Sequence, residues 1–241
     1  MTKIITFASA LMMFGLVACD DETISPDSKT FKVVIDNVSG TNTIASMRIN
    51  GTVPLSHGVY AVMSSGNLFS LGQPADAGTS RIAEDGFTTE KTNALNNMNG
   101  IVDHGEFVAP GGPDNGAALF AGESSTFTIT ANPGDKLQIQ SMFVQSDDWF
   151  YSFGDGGLLL FNNNTAISGD FTSKLVLYDA GTEADDAPGT GLYQKPVQGP
   201  LDMNFGPDDS VTTITEAKVR HTQFTIPATN SVIRITITPQ T

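Results

Sequence analysis

Most of the chemistry open to this chain resides in three acidic segments, each expected where a strand runs out. The first is Asp147-Asp148, which follows Met142-Phe143-Val144-Gln145-Ser146 and precedes Trp149-Phe150, the only tryptophan of 241 residues. The second is Asp179-Ala180-Gly181-Thr182-Glu183, delivered by Leu177-Tyr178. The third is Ala83-Glu84-Asp85-Gly86. Carboxylates on neighbouring loop tips could supply the several oxygens that a hard cation such as Ca²⁺ requires. Two carboxylates brought together repel and raise one pKa unless a cation sits between them. Acidic residues also form turns, by accepting hydrogen bonds from nearby backbone N–H groups. Composition leaves both roles open. Trp149 and Phe150 either pack in the core or buttress such a site.

Other reactive chemistry is sparse. His57, His104 and His221 show no neighbouring metal-ligand spacing and are expected to be structural or surface residues. There is no His-Glu-x-x-His, no Gly-x-Ser-x-Gly elbow and no phosphate loop. With no candidate triad, an enzyme is not expected. The formal net charge is −14, with only 12 lysines and arginines. Nucleic acid, which needs a basic face, is excluded as a partner.

The elements that must position the acidic segments are strands. Residues 31–37 are dense in β-branched side chains. Residues 46–53 alternate, with Met47, Ile49 and Val53 as inward positions. Residues 59–63, 127–130, 137–144 and 175–178 give further strands, the middle two joined by an Asn132-Pro133-Gly134-Asp135 turn. The chain closes with strands at 221–226 and 232–237, the last pointing Ile233, Ile235 and Ile237 to one side and Arg234 and Thr236 to the other. Only residues 88–98 favour a helix. Many short strands, abundant turns and no βαβ rhythm predict an all-β, antiparallel β-sandwich with long loops and one or two short helices at most. Residues 183–211, rich in Gly, Pro and Asp, read as a long loop.

Residues 1–18 read as a signal peptide: Lys3 precedes an apolar run, residues 4–17, shorter than the roughly 20 that span a bilayer. Leu16-Val17-Ala18-Cys19 is similar to the lipobox of bacterial lipoproteins, whose cysteine is acylated. Cys19, the only cysteine, is therefore expected to carry lipid, and residues 19–30 to form a flexible acidic spacer before a domain at 31–241. The expected location is the cell envelope, periplasmic or on the outer surface, with the membrane reached through the lipid anchor. A mature domain without cysteine has no disulfide and depends on its core.

Asp147-Asp148-Trp149-Phe150 together with Tyr178-Asp179-Ala180-Gly181-Thr182-Glu183 resembles the paired signatures of the spondin N-terminal domain family. Bacterial members typically show Asn-Asp before the aromatic, then Asp-Ala-Gly-Thr-Glu. Pro54-Leu55-Ser56 before Gly58-Val59, Ala83-Glu84-Asp85-Gly86 and Pro110-Gly111-Gly112 extend the likeness across residues 30–239. The resemblance implies a sandwich similar to a C2 domain, Ca²⁺ held at one end by loop carboxylates, and adhesion to a glycan, matrix component or surface protein. By position, Asp148 and Asp179 match the family's two metal aspartates. The family's strand glutamate has no counterpart in Phe127-Thr128-Ile129-Thr130, which leaves Asp147 or Glu183 as substitutes. The expectation is a non-enzymatic, spondin-like binding module on an exported lipoprotein; the alternatives are a metal-free structural envelope lipoprotein and, behind it, a hydrolase of unrecognised type.

Overall fold

The computed structural model describes residues 28–110, 118–198 and 206–241. The signal peptide, Cys19, most of the acidic spacer and Gly111-Gly112 lie outside the described residues. In chain order the strands are β1 (Lys29–Asn37), β2 (Leu55–Met63), β3 (Ile101–Phe107), β4 (Ala118–Leu119), β5 (Ser124–Ala131), β6 (Lys136–Phe143), β7 (Trp149–Phe153), β8 (Leu158–Leu159), β9 (Phe161–Asn162), β10 (Thr165–Ala166), β11 (Gly169–Asp170), β12 (Leu175–Asp179), β13 (Thr215–Glu216) and β14 (Ile233–Pro239). Three short helices, α1 (Ala77–Asp85), α2 (Thr89–Leu95) and α3 (Ala217–Arg220), accompany them. The all-β antiparallel sandwich is present.

The smaller sheet runs β11-β14-β1-β5. Its strands keep the period of two: Phe31, Val33 and Ile35 on β1, and Ile233, Ile235 and Ile237 on β14, all face the core. Outward, Asp36 lies opposite Arg234, whose Nε donates to it at 2.9 Å. The larger sheet runs β13-β12-β7-β6-β2-β3, with β4 on β2 and β8 on β6. One face meets the smaller sheet, where Phe127 stacks on Tyr60 and Phe107 at 4.4 and 5.6 Å. The other face carries Val59, Ala61, Met63, Phe150 and Tyr178, which pack with Ile82, Ala83 and Leu95 of α1 and α2. Burial on both faces explains why β6 and β7 read as continuous buried runs rather than alternating ones.

The third acidic segment lies at the end of helix α1, so Glu84-Asp85-Gly86 ends a helix rather than a strand. Asp76 caps its start by accepting from Thr79 N at 2.7 Å, and Gly86 ends it at φ 74°. Lys91 of α2 is fully buried and donates to Leu68 O, Asp76 and Thr79 at 2.6–2.9 Å, fastening the two helices. Residues 46–53 form no strand. Ile49 and Asn50 take left-handed φ values of 43° and 55°, because the loop bonds to itself through Asn42 N to Asn50 O and Ile44 N to Gly51 O. Met47 and Ile49 consequently face solvent and only Val53 turns inward. The expected strand at 221–226 is likewise irregular: His221 and Phe224 leave the ladder to stack against each other and Trp149.

Gly58 sits where β2 passes the Phe107 ring. A Cβ there would lie 2.1 Å from Phe107 Cζ and 2.3 Å from Gln140 O. Gly58→Ala is expected to cost about 2–3 kcal/mol by overpacking the inter-sheet aromatic stack, read as a lower urea midpoint at unchanged slope.

Candidate metal centre

Antiparallel pairing of β7 with β12 sets Trp149 opposite Asp179. Asp148 immediately precedes Trp149, so both aspartates fall at one end of the larger sheet, and the ladder continues there through Ala180 N to Asp148 O at 3.1 Å. Both side chains are fully buried. Asp148 Oδ2 accepts three bonds: from Thr182 N at 2.6 Å, Thr182 Oγ1 at 3.1 Å and Glu183 N at 3.0 Å. Its Oδ1 has no partner. Asp179 Oδ1 accepts from Gly181 N at 2.7 Å and from the Arg220 guanidinium, and its Oδ2 meets His221 Nε2 at 2.5 Å. Asp185 Oδ2 lies 3.0 Å from the same nitrogen. Since Asp179 engages the single N–H at shorter range, Asp185 keeps Coulomb attraction while its two buried oxygens lack directed hydrogen bonds.

One ligand atom from each of Asp179, Asp185 and His221 lies within 4.8 Å of the others, the one such trio among the described residues. Asp148 adjoins them and feels the charges of Asp179 and Asp185. Its carboxyl is held well above the usual range, first by burial and then by those two neighbours. Burial also lifts Asp185, to about 7, with Asp179 adding and His221 opposing. For His221 burial opposes the charged form, but the bond to Asp179 and the nearby charges of Asp185 and Asp179 outweigh it and raise the imidazole to about 9. Arg220 closes the cluster, donating also to Asp209 at 3.0 Å and Thr215 Oγ1 at 3.2 Å.

Of the four metal candidates, the fold brings Asp148 and Asp179 together and sends Asp147 and Glu183 elsewhere. Asp147, in the bend before β7, instead accepts from Asp186 N and Gln194 Nε2, each at 3.0 Å. Glu183 gives its backbone N–H to Asp148, and its side chain leaves toward Gly206 N, at 3.1 Å. The third acidic segment anchors the long loop: Asp85 accepts from Lys195 at 2.9 Å and Gln198 at 2.6 Å. Asp185 and His221 were not singled out by sequence. His221 stands 42 residues beyond Asp179 and is brought in by the stack of its ring on Trp149, 5.3 Å apart, and by its bond to Asp179.

Removing Asp179 leaves Arg220 and His221 buried without their main partner. Asp179→Ala is expected to cost about 3–5 kcal/mol, the usual penalty for breaking a buried pair, measured by urea unfolding. Glu183 has a separate pH signature. Burial, then Glu84, pushes it from 4.5 to about 8. Between those values the folded chain holds a proton that the unfolded chain has released, so stability falls as pH rises through that window. Glu183→Gln should flatten that slope and gain on the order of 1 kcal/mol at pH 8, seen as a higher melting temperature there and not at pH 4. No family model and no curated protein matches this chain.

Proposed function

We propose that this protein is an exported, membrane-tethered, non-enzymatic binding module of the spondin kind, whose sandwich presents loops from one end to a glycan, matrix component or surface protein. The supporting observation is the convergence of Asp148 and Asp179 at the end of β7 and β12, where they hold the start of the long loop through Gly181, Thr182 and Glu183. Buried acceptors that bind successive backbone N–H groups keep a loop in one shape, and a preordered loop loses less entropy on binding. The leader and Leu16-Val17-Ala18-Cys19 support display from a membrane surface. The family resemblance implies Ca²⁺ at this end of the sandwich.

A metal-free structural envelope lipoprotein is the second reading. It is favoured by Arg220 and His221, which already supply positive partners to Asp179. Retention of the purified full-length protein on arrays of glycans and matrix proteins, before and after chelation, separates the two. The binding module predicts saturable retention on one ligand class, weakened in an Asp148→Asn, Asp179→Asn double variant. Retention no greater than that of a heat-denatured sample leaves the structural role. Melting temperatures of both proteins in excess Ca²⁺ test the ion: no shift in either removes Ca²⁺ from the reading.

A further inference from the structure

The centre around His221 does not suit Ca²⁺, and the mismatch identifies another ion. Ca²⁺ takes six to eight oxygen ligands. Asp179 can offer only Oδ2, because Oδ1 already accepts from Gly181 N and Arg220. Asp148 can offer only Oδ1, because three donors occupy Oδ2. Asp185 has both oxygens without hydrogen bonds. The remaining donor is a nitrogen, His221 Nε2. Water has little access to complete a larger shell: Asp148 and Asp179 are fully buried, and the Asp185 side chain is 2% exposed. Three or four donors from Asp179, Asp185 and His221, one of them imidazole, in a closed pocket fit a four-coordinate borderline cation rather than a hard one.

We propose that this centre is a closed structural site for a divalent cation of the Zn²⁺ class, held by His221 Nε2, Asp179 Oδ2 and the two oxygens of Asp185, beside the buried, unpartnered Oδ1 of Asp148. The charges agree. A divalent cation together with Arg220, whose charge Asp209 shares, offsets most of the negative charge of Asp148, Asp179 and Asp185 with the imidazole neutral, whereas a monovalent ion leaves more of it unanswered. The distances agree as well. Asp179 and Asp185 now meet Nε2 at 2.5 and 3.0 Å. Tetrahedral ligands at about 2.0–2.2 Å from zinc stand roughly 3.4 Å apart, so the side chains need part by less than about 1 Å. The ion would then fasten residue 185 of the long loop and residue 221 after α3 to the end of β7 and β12, replacing a hydrogen-bonded latch by coordinate bonds.

This inference replaces the Ca²⁺ of the proposed function by another ion at the same end of the sandwich and does not depend on adhesion. Full-length protein is stripped with chelator, incubated with ZnCl₂ or CaCl₂, desalted and assayed for metal per chain and for melting temperature. One retained Zn²⁺ per chain and a raised melting temperature are expected, with no retained Ca²⁺ and no shift in millimolar Ca²⁺. His221→Gln should weaken Zn²⁺ binding by at least about 10-fold, while His104→Gln, at a half-buried histidine of β3 bonded to Asn96, should leave it unchanged. Stoichiometric Ca²⁺ in place of Zn²⁺, Zn²⁺ retention undiminished in His221→Gln, or retention of neither ion overturns the proposal. If His221→Gln does not fold, the Co²⁺-loaded wild-type protein decides. Intense visible bands of a tetrahedral site support the assignment, and the weak bands of an octahedral one overturn it. Array binding judges the adhesion module independently: Zn²⁺ uptake without ligand retention removes adhesion alone, and ligand retention without Zn²⁺ uptake removes the ion alone.

Discussion

The antiparallel ladder between β7 and β12 is the constraint on which the functional end of this molecule depends. Because Trp149 pairs with Asp179, Asp148 has no choice but to emerge beside it. Two carboxylates removed from water and set side by side are unstable unless something answers their charge. Every neighbouring feature is such an answer: the N–H groups of residues 181–183, the Arg220 guanidinium and the His221 imidazole. The turn after β12 is therefore shaped by electrostatics at the strand ends as much as by its own Gly181.

That electrostatic demand also organises the long loop. Asp148 holds its first residues, Asp147 holds Asp186 and Gln194, and Asp85 at the end of α1 holds Lys195 and Gln198. The described residues of this segment, with almost no regular secondary structure, are thus pinned by carboxylates from two places, the bend between β6 and β7 and the end of α1. Buried side-chain acceptors give a loop what backbone ladders give a strand, directed partners for its N–H groups. This is why a chain without a disulfide in its described residues keeps an extended, glycine-rich excursion packed on one end of a sandwich.

Much of the architecture was legible before any coordinates. Phe31, Val33, Ile35 and the isoleucines of β14 alternate because one face is buried and the other wet, and period two carries that fact directly. Residues 46–53 mimic the same alternation without being a strand, since pattern alone does not register a loop whose backbone bonds close on themselves. Helix α1 was hidden for the opposite reason. Its nine residues bury only Ile82 and Ala83 as apolar side chains, too few to trace a helical stripe, and its stability comes from Asp76, Gly86 and contact with α2 instead.

For the site, sequence alone determined that carboxylates would stand at the ends of the strands preceding Trp149 and Ala180, because strand composition and turn chemistry are local properties. Only the tertiary structure decided which of them meet. The side chain of Asp148 turns to the start of the loop after β12 and that of Asp147, equally buried, to Asp186 and Gln194, while Glu183 gives its N–H to Asp148 and its carboxylate to Gly206. Asp185 and His221 arrive from a loop and from the far side of α3, drawn by ring stacking and by charge. Distant residues are brought into contact by the packing of the whole chain, and no local spacing encodes that packing.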